Sequence, residues 1–402
     1  MIKRIPLSQL KTGMFIHDLN CSWVVHPLFL TRFKVESDAE IEKIAELGVR
    51  EVYIDPARGI DLPGAETADE ARFAVECELL RMGEETGGVS GGLVSVCEER
   101  DAAIEIQSHA HQAIRDMMRD IRMGRQLEME RVDQAIGGIT DSILRNSTAL
   151  IQMSRVKTKD NYTYMHSVGV CTLMTAFCNT LELGRDITRQ ISTGAILHDI
   201  GKMKVPDEIL TKPGRLTDPE FEEMKRHVSY GCEIVRQLAP ISPISFSVLS
   251  QHHERYDGSG YPARLKGEEI SQFGQMAAIV DVYDAITSDR VYHKAMAPVE
   301  AVRKIQEWGE FHFNRELVRH FIHCVGIYPP GTFVRLESGL IGAVVEQNAA
   351  SLLRPTVRMV YDTRKNWGVT PYELDLSGPS GDADRIVSYE PPEKWGLQPA
   401  MG

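Results

Sequence analysis

HHERYDGSGYP (252–262) joins two adjacent histidines to a segment that contains two glycines and a proline. Each of its two adjacent histidines follows an apolar residue of the preceding segment by four positions, which places both on an apolar helix face. The glycines and the proline that come next predict a tight turn in which backbone can approach a ligand closely. Because an unpaired polar group is costly to bury, inward-facing imidazoles of this kind need a polar partner.

A second segment, ISTGAILHDIGK (191–202), supplies the same chemistry. Ile191, Ala195 and His198 follow the i, i+4, i+7 spacing of one helix face, so His198 is predicted to point inward, with Asp199 beside it. A metal ion is one partner that would satisfy both side chains. A lone His-Asp pair is a weak indication, but three further predicted helices contribute side chains of the same kinds.

Together, these helical segments supply five imidazoles and two carboxylates. The candidate metal ligands are His166, His198, Asp199, His227, His252, His253 and Asp281. Seven donors exceed the needs of one ion and suit two, which in phosphoryl hydrolysis lie about 3.5–4 Å apart. One carboxylate then has to span both ions, and Asp199, next to His198, is the predicted bridge. Imidazole and carboxylate donors without thiolate favour iron or manganese over structural zinc.

The composition of the 402 residues is that of an ordinary globular protein, with a formal net charge of -12. This charge argues against binding duplex nucleic acid, because that affinity comes from lysine and arginine displacing counterions. No segment approaches the roughly 20 apolar residues that span a bilayer, and the first residues lack the apolar centre of a secretory signal. The seven cysteines form no C-x-x-C pair. We therefore expect a cytoplasmic protein with reduced cysteines and no membrane or nucleic-acid partner.

The pattern along the chain predicts three regions. Residues 1–135 contain short apolar segments, a helical stretch and a helical connector, which indicates a small α/β accessory domain. Residues 136–330 read as helix almost throughout, with Gly137 and Gly138 marking a break in the long helix before them. Residues 331–402 change to alternating apolar residues with glycines, which predicts a small β-rich appendage. The fold class is therefore mostly α.

The order H…HD…H…HH…D, with HDIGK and HHERYDGSGYP, resembles the HD-GYP phosphodiesterases of the HD-domain metallohydrolase superfamily. The resemblance covers about residues 150–330. It implies an all-helical HD-type domain that hydrolyses cyclic di-GMP, a bacterial signalling dinucleotide, to the linear dinucleotide or GMP by attack of a metal-bridging hydroxide. It also implies that the seven candidate residues are the ligands of a metal site, and that the segment before them is an accessory domain.

The resemblance assigns roles to further residues. It implies that Lys202 assists at the scissile phosphate, and that Arg290 and Lys294 hold substrate phosphate. Tyr261 is predicted to stack on a base, and Asp284, on the same helix face as Asp281, to contribute to the substrate site. Some relatives place a glutamate that binds a third metal one turn before the first histidine. Here that position is Tyr162, so two ions are expected.

Two other functions stay open at this point. One is hydrolysis of another cyclic dinucleotide, such as cyclic GMP-AMP. The other is a slow or inactive receptor that binds the dinucleotide, although loss of ligands would be the expected mark of such a protein and none of the seven is missing. The sequence leaves open whether the GYP loop, residues 252–262, contacts a partner protein and whether the chain forms a homodimer.

Overall fold

The structure is a computed structural model of the 402-residue chain. It describes residues 1–21, 32–84, 93–125, 128–154, 162–214, 216–238, 241–288, 295–348, 350–379, 381 and 384–397, without the side chains of Tyr162 and Leu238. In these ranges no helix is both long enough and apolar enough to cross a membrane.

The N-terminal domain is a four-stranded antiparallel sheet covered by one helix. Its elements are β1 (Lys3–Pro6), β2 (Phe15–Asp18), β3 (Phe33–Lys34), α1 (Asp38–Glu46) and β4 (Glu51–Ile54), with strand order β1-β4-β2-β3. Alternate residues of the strands and one face of α1 bury apolar side chains in a separate small core that includes Ile5, Ile16 and Ile44. The predicted small α/β domain is confirmed.

Three long helices follow: α2 (Ala68–Glu84), α3 (Val96–Arg122) and α4 (Met129–Ser154). The predicted break at Gly137 and Gly138 is wrong, because α4 continues through both glycines and Gly138 lies against Ile106 of α3. The non-helical residue is Asn146. Its side-chain oxygen accepts a hydrogen bond from the Ala149 amide, as a capping residue does at the start of a helix.

The described residues of the helical region form nine further helices. They are α5 (Tyr162–Thr180), α6 (Arg185–Leu197), α7 (Asp207–Leu210), α8 (Asp218–Lys225), α9 (His227–Leu238), α10 (Pro243–Gln251), α11 (Gln272–Ile286), α12 (Pro298–Trp308) and α13 (Arg315–Val325). Helices α3 to α6 and α9 to α13 contribute to one large apolar core. Since every residue of α11 from Gly274 to Ile286 is buried, this helix runs through the interior and brings its two aspartates with it.

The C-terminal region is a five-stranded antiparallel sheet. Its strands are β5 (Phe333–Leu336), β6 (Leu340–Glu346), β7 (Thr356–Asp362), β8 (Trp367–Asp375) and β9 (Ile386–Tyr389), in the order β8-β7-β6-β5-β9. The predicted mostly α class with a small α/β start and a β-rich end is thus confirmed. The three domain boundaries stay predictions, and the one at 135/136 falls inside α4.

Candidate metal centre

The seven candidate ligands come together in the interior of the helical region. Their side chains are brought there by α5, the ends of α6 and α10, the start of α9, and α11. Each residue is at most 6% exposed to solvent. Such burial of five imidazoles and two carboxylates at one place is costly unless they bind a common partner.

Three of the histidines lie at helix ends and are oriented in the same way. The Nδ1 atoms of His198, His227 and His252 lie 2.7, 2.7 and 2.8 Å from the carbonyl oxygens three residues earlier in the chain. These carbonyls belong to the last turns of α6, α8 and α10, where the regular helical hydrogen bonds of the backbone run out. An Nδ1–H that donates there leaves the Nε2 lone pair free to bind a metal and pointing into the cluster.

The ligands form two groups on either side of Asp199. His166, His198 and Asp199 make one group of mutually close donor atoms, and His227, His252 and His253 make the other. Asp199 Oδ2 lies 3.3 Å from His198 Nε2, and its Oδ1 lies 3.4 Å from His227 Nε2. The carboxylate therefore offers one oxygen to each group, which is the arrangement required of a bridging ligand.

Asp281 is the second carboxylate that spans the cluster. Its Oδ1 lies 2.9 Å from His166 Nε2, and its Oδ2 lies 3.5 Å from His253 Nδ1. At Gly201 the segment that carries His198 and Asp199 packs directly against the start of α9. A side chain at Gly201 would overlap with the carbonyl of His227. Glycine is thus required by this close approach of two backbones.

The charges of the cluster match those of a metal site. Burial lowers the pKa of His227 to about 4, and it holds the pKa values of His252 and His253 well below the usual value. These three imidazoles are therefore neutral at pH 7 and able to coordinate. Burial opposes the ionisation of Asp199 and Asp281, but neighbouring cations and imidazoles hold both pKa values well below the usual range.

Four buried polar atoms of the cluster have no hydrogen-bond partner among the described residues. They are His198 Nε2, Asp199 Oδ1, His253 Nδ1 and Asp281 Oδ2. In addition, the Nε2 atoms of His227 and His252 face one another at 3.4 Å. Buried polar atoms are almost always satisfied, so this set of inward-facing lone pairs fits bound cations.

Asp284 lies behind His166. Its Oδ2 is 2.6 Å from His166 Nδ1, while Nε2 of the same ring faces Asp199 and Asp281. The predicted role of Asp284 in the substrate site stays a prediction, and the contact gives this buried carboxylate a partner in His166. We propose that it fixes the orientation of His166, as carboxylates behind metal-binding histidines commonly do.

Replacing Asp284 by alanine is expected to lower metal affinity about 10- to 100-fold, the usual loss when such a carboxylate is removed. Competition with a chelator of known affinity measures the change. Ser288→Ala is the matched control, because the Ser288 hydroxyl donates to the Asp284 backbone carbonyl near the same end of α11 and not to the Asp284 side chain. Wild-type affinity in Asp284→Ala would contradict the positioning role.

Lys202 lies at the edge of the cluster, on the single turn of 3-10 helix formed by Ile200–Lys204. Its Nζ is 2.5 Å from Asp199 Oδ2, and the side chain is 19% exposed. Of the two lysines in this turn, Lys202 faces the metal ligands, whereas Lys204 pairs with Glu233 at the surface. An ammonium in this position can neutralise negative charge beside the cluster.

The GYP loop folds back on the residues that precede it. A side chain at Gly260 would overlap with backbone atoms of His253, Glu254 and Arg255, so only glycine permits this approach. The buried carboxylate of Glu254 accepts hydrogen bonds from the amides of Ala263 and Leu265, which fixes the far end of the loop. Glu254 therefore orients the loop.

Tyr261 packs directly against a candidate ligand. Its ring centroid lies 4.7 Å from that of His253, with 33° between the ring planes. Lys225 Nζ lies 5.7 Å from the Tyr261 ring. A phenol that covers His253 forms one wall of the centre, and the predicted stacking of Tyr261 on a base stays a prediction.

Some predicted residues lie outside the described part of the chain. Arg290, Lys294 and the side chain of Tyr162 are among them. Phosphate binding by Arg290 and Lys294 therefore stays a prediction. The same holds for the expectation that Tyr162 excludes a third metal.

Arg255 is a residue for which the sequence indicated no role. It is 4% exposed, its Nη1 donates to the Glu254 carbonyl at 3.2 Å, and its guanidinium lies 5.4 Å from the Phe313 ring centroid. Burial lowers its pKa, while Asp281 is its strongest attractive partner. Its position directly after HHE is the only sequence signal for this buried cation beneath the GYP loop.

The comparisons with known proteins agree with this geometry. The HD domain family matches residues 140–317, and a domain of unknown function (DUF3391) matches residues 2–132. The chain is 42% identical over 399 residues to a protein named cyclic di-GMP phosphodiesterase PA4108, from Pseudomonas aeruginosa. This similarity covers 99% of the chain and 94% of that protein. The chain belongs to the HD-GYP family.

Other relatives match a smaller part of this HD-GYP protein. A Thermotoga maritima protein named cyclic di-GMP phosphodiesterase is 38% identical over 165 residues, 41% of this chain and 45% of that protein. A Vibrio cholerae protein named 3'3'-cGAMP-specific phosphodiesterase 2 is 33% identical over 164 residues, 40% of this chain and 31% of that protein. As an HD-domain protein with this buried cluster, the chain has a divalent-metal site.

Proposed function

We propose that this protein is a metal-dependent phosphodiesterase that hydrolyses cyclic di-GMP to the linear dinucleotide or GMP. The observation that carries the proposal is the pair of facing ligand groups with Asp199 between them. The relative from Pseudomonas aeruginosa, similar over nearly its whole length, has this activity in its name. No candidate ligand in the sequence is missing, which favours an enzyme over a receptor.

We infer two metal ions, iron or manganese, held by the seven ligands. His166 and His198 would bind one ion, His227, His252 and His253 would bind the other, and the two aspartates would contribute to both. Such an ion pair supplies an activated water at neutral pH and stabilises charge on the attacking and leaving oxygens. We assign binding of the substrate base and neutralisation of charge on the leaving oxygen to side chains of the protein.

Lys202 and Tyr261 are the side chains that we assign to the substrate next to the metals. The Lys202 ammonium is close enough to Asp199 Oδ2 to neutralise charge that develops on the leaving oxygen. Tyr261 presents an aromatic ring at the wall of the centre, which suits stacking on a guanine base. These assignments account for a substrate that is both anionic and aromatic.

Hydrolysis of 3'3'-cyclic GMP-AMP is the second candidate function. It is favoured by the similarity to the Vibrio cholerae protein, although that similarity is lower and covers 40% of this chain. The two substrates share the phosphate ring and differ in one base, so the metal ligands cannot distinguish them. A cytoplasmic location, a homodimer and a partner at the GYP loop remain predictions.

The test uses full-length protein purified without air and loaded separately with Fe(II) or Mn(II). Elemental analysis counts the ions per chain, and chromatography measures products from cyclic di-GMP and cyclic GMP-AMP supplied singly and in competition. We expect two ions per chain and a higher kcat/KM for cyclic di-GMP. A higher value for cyclic GMP-AMP would favour the alternative, and tight binding without product would identify a receptor.

Arg290→Ala is expected to raise KM for cyclic di-GMP at unchanged metal content, because a guanidinium binds phosphate oxygens bidentately. A loss of a hydrogen-bonded charge of this kind corresponds to about 10- to 100-fold weaker binding. Steady-state kinetics and elemental analysis on the same sample measure both quantities. Loss of metal from this variant would place Arg290 at the metal centre instead.

A further inference from the structure

The N-terminal domain touches the GYP loop through the turn between α1 and β4. A side chain at Gly48 in this turn would overlap with the Ser259 side chain, so the Ser259 side chain is packed directly against the Gly48 backbone. Arg50 Nε lies 3.4 Å from Asp257 Oδ2. Because the Arg50 side chain is half exposed, this ion pair contributes little, and the packing at Gly48 is the stronger contact.

Inside the loop, Asp257 transmits this contact to neighbouring residues. Its Oδ1 accepts hydrogen bonds from the Ser259 amide at 3.0 Å and from the Ser259 hydroxyl at 2.6 Å. Its Oδ2 lies 3.4 Å from His312 Nδ1. Burial opposes its ionisation, but His312 and Ser259 lower its pKa, so the carboxylate is charged and holds the turn in one conformation.

The next residues connect the turn to the metal centre. The Tyr261 amide donates to the His253 carbonyl at 3.1 Å, and the Tyr261 ring lies against the His253 ring. One residue, Gly260, therefore separates Ser259, which meets the N-terminal domain, from Tyr261 at the wall of the centre. A displacement of Ser259 moves Tyr261 with it, since Gly260 between them is packed tightly against the backbone of residues 253–255.

The N-terminal domain is held in place by a separate polar network on α12. Glu307 Oε1 accepts from the Tyr53 hydroxyl at 2.7 Å and from the Asn20 side chain at 2.8 Å. The Asn20 backbone carbonyl accepts from the Trp308 indole at 3.0 Å, and its side-chain oxygen accepts from Lys304 at 2.7 Å. Tyr53 lies on β4, directly after the turn, so this network fixes where the turn sits.

We propose that the N-terminal domain positions the GYP loop. Gly48 and Arg50 act through Ser259 and Asp257 to hold Tyr261 against His253. The proposal assigns a role to residues 2–132, which match a domain of unknown function. The importance of the loop for hydrolysis rests on the proposed function, whereas its positioning by the N-terminal domain does not.

The first experiment compares Gly48→Ala with Gly64→Ala by hydrogen exchange on the full-length protein. Both glycines have a positive φ, +77° and +78°, so alanine introduces the same backbone strain at each. Only at Gly48 does the added methyl meet the GYP loop, because nothing lies within 4 Å at Gly64. We expect about tenfold faster exchange in residues 256–263 for Gly48→Ala and wild-type exchange there for Gly64→Ala.

The second experiment is a rescue. The atoms that an alanine at Gly48 would meet belong to the Ser259 side chain, so Ser259→Gly makes room for it. With cyclic di-GMP, Gly48→Ala is expected to lower kcat about tenfold at unchanged metal content, within the range that a displacement of about 1 Å produces. In the Ser259→Gly background, the same substitution is expected to have no further effect, which a merely destabilised domain would not show.

Two results would overturn the proposal. One is unchanged exchange in residues 256–263 of a folded Gly48→Ala protein. The other is an equal loss of kcat from Gly48→Ala with and without Ser259→Gly. If the protein hydrolyses no cyclic dinucleotide, the proposed function fails, but the exchange measurement still decides whether the N-terminal domain positions the loop.

Discussion

Asp199→Ala is expected to lose hydrolysis and bound metal together. Asp199 supplies one oxygen to each ligand group, so its removal leaves Asp281 as the one candidate carboxylate ligand between them. A single carboxylate and neutral imidazoles would then have to hold two cations at close range against their mutual repulsion. We expect activity at the detection limit and fewer than two ions per chain, measured by product chromatography and elemental analysis on one sample.

The matched control for this substitution is Asp186→Ala. Asp186 is an exposed aspartate at the start of α6, the helix that leads to His198 and Asp199. Asp186→Ala removes a carboxylate from the same helix at a position away from the cluster. Wild-type activity and metal content are therefore expected. An Asp199→Ala protein that is active and holds two ions would refute the bridging role.

Lys202→Met is expected to lower kcat about 100- to 1,000-fold while the metal is retained. This is the usual effect of removing one group that stabilises transition-state charge. Methionine keeps most of the length of the side chain and removes the ammonium that lies 2.5 Å from Asp199 Oδ2. Since lysine does not ligate the metals, elemental analysis is expected to give the wild-type content.

Lys204→Met serves as the control in the same turn. Lys204 is 39% exposed and pairs with Glu233, so its removal is expected to change kcat less than about twofold, as for most surface ion pairs. If Lys202→Met keeps wild-type kcat, or if it loses metal in step with activity, Lys202 does not act on the leaving oxygen. A higher KM at unchanged kcat would instead indicate weaker substrate binding.

Much of the site could be predicted from the sequence because the ligands obey local spacing. His198 follows Ile191 and Ala195 at helical intervals, and His252 follows Val248, so the side on which each imidazole lies is determined within one or two turns. The same holds for the glycines of the GYP loop, whose turn is required by their own backbone contacts. The motif order then identified which helices had to meet.

The features that could not be predicted depend on contacts between distant parts of the chain. Asn146 interrupts α4 because its side chain bonds to the Val94 carbonyl and to Glu346, 52 and 200 positions away. Asp284 could be placed on the face of Asp281 by spacing, but its partner His166 lies 118 positions away. The contact of Gly48 with Ser259 joins two regions whose own patterns give no sign of each other.

The C-terminal sheet has a consequence for any attempt to isolate the catalytic part. Five apolar side chains of its strands are buried in the same core as the helices, and the Val345 carbonyl accepts a hydrogen bond from Gln152 of α4. These five are Val334, Leu336, Val344, Val357 and Met359. A fragment cut after residue 330 would uncover the apolar surface beneath them and be prone to aggregate. The smallest piece worth expressing for the chemistry therefore extends well past the last metal ligand.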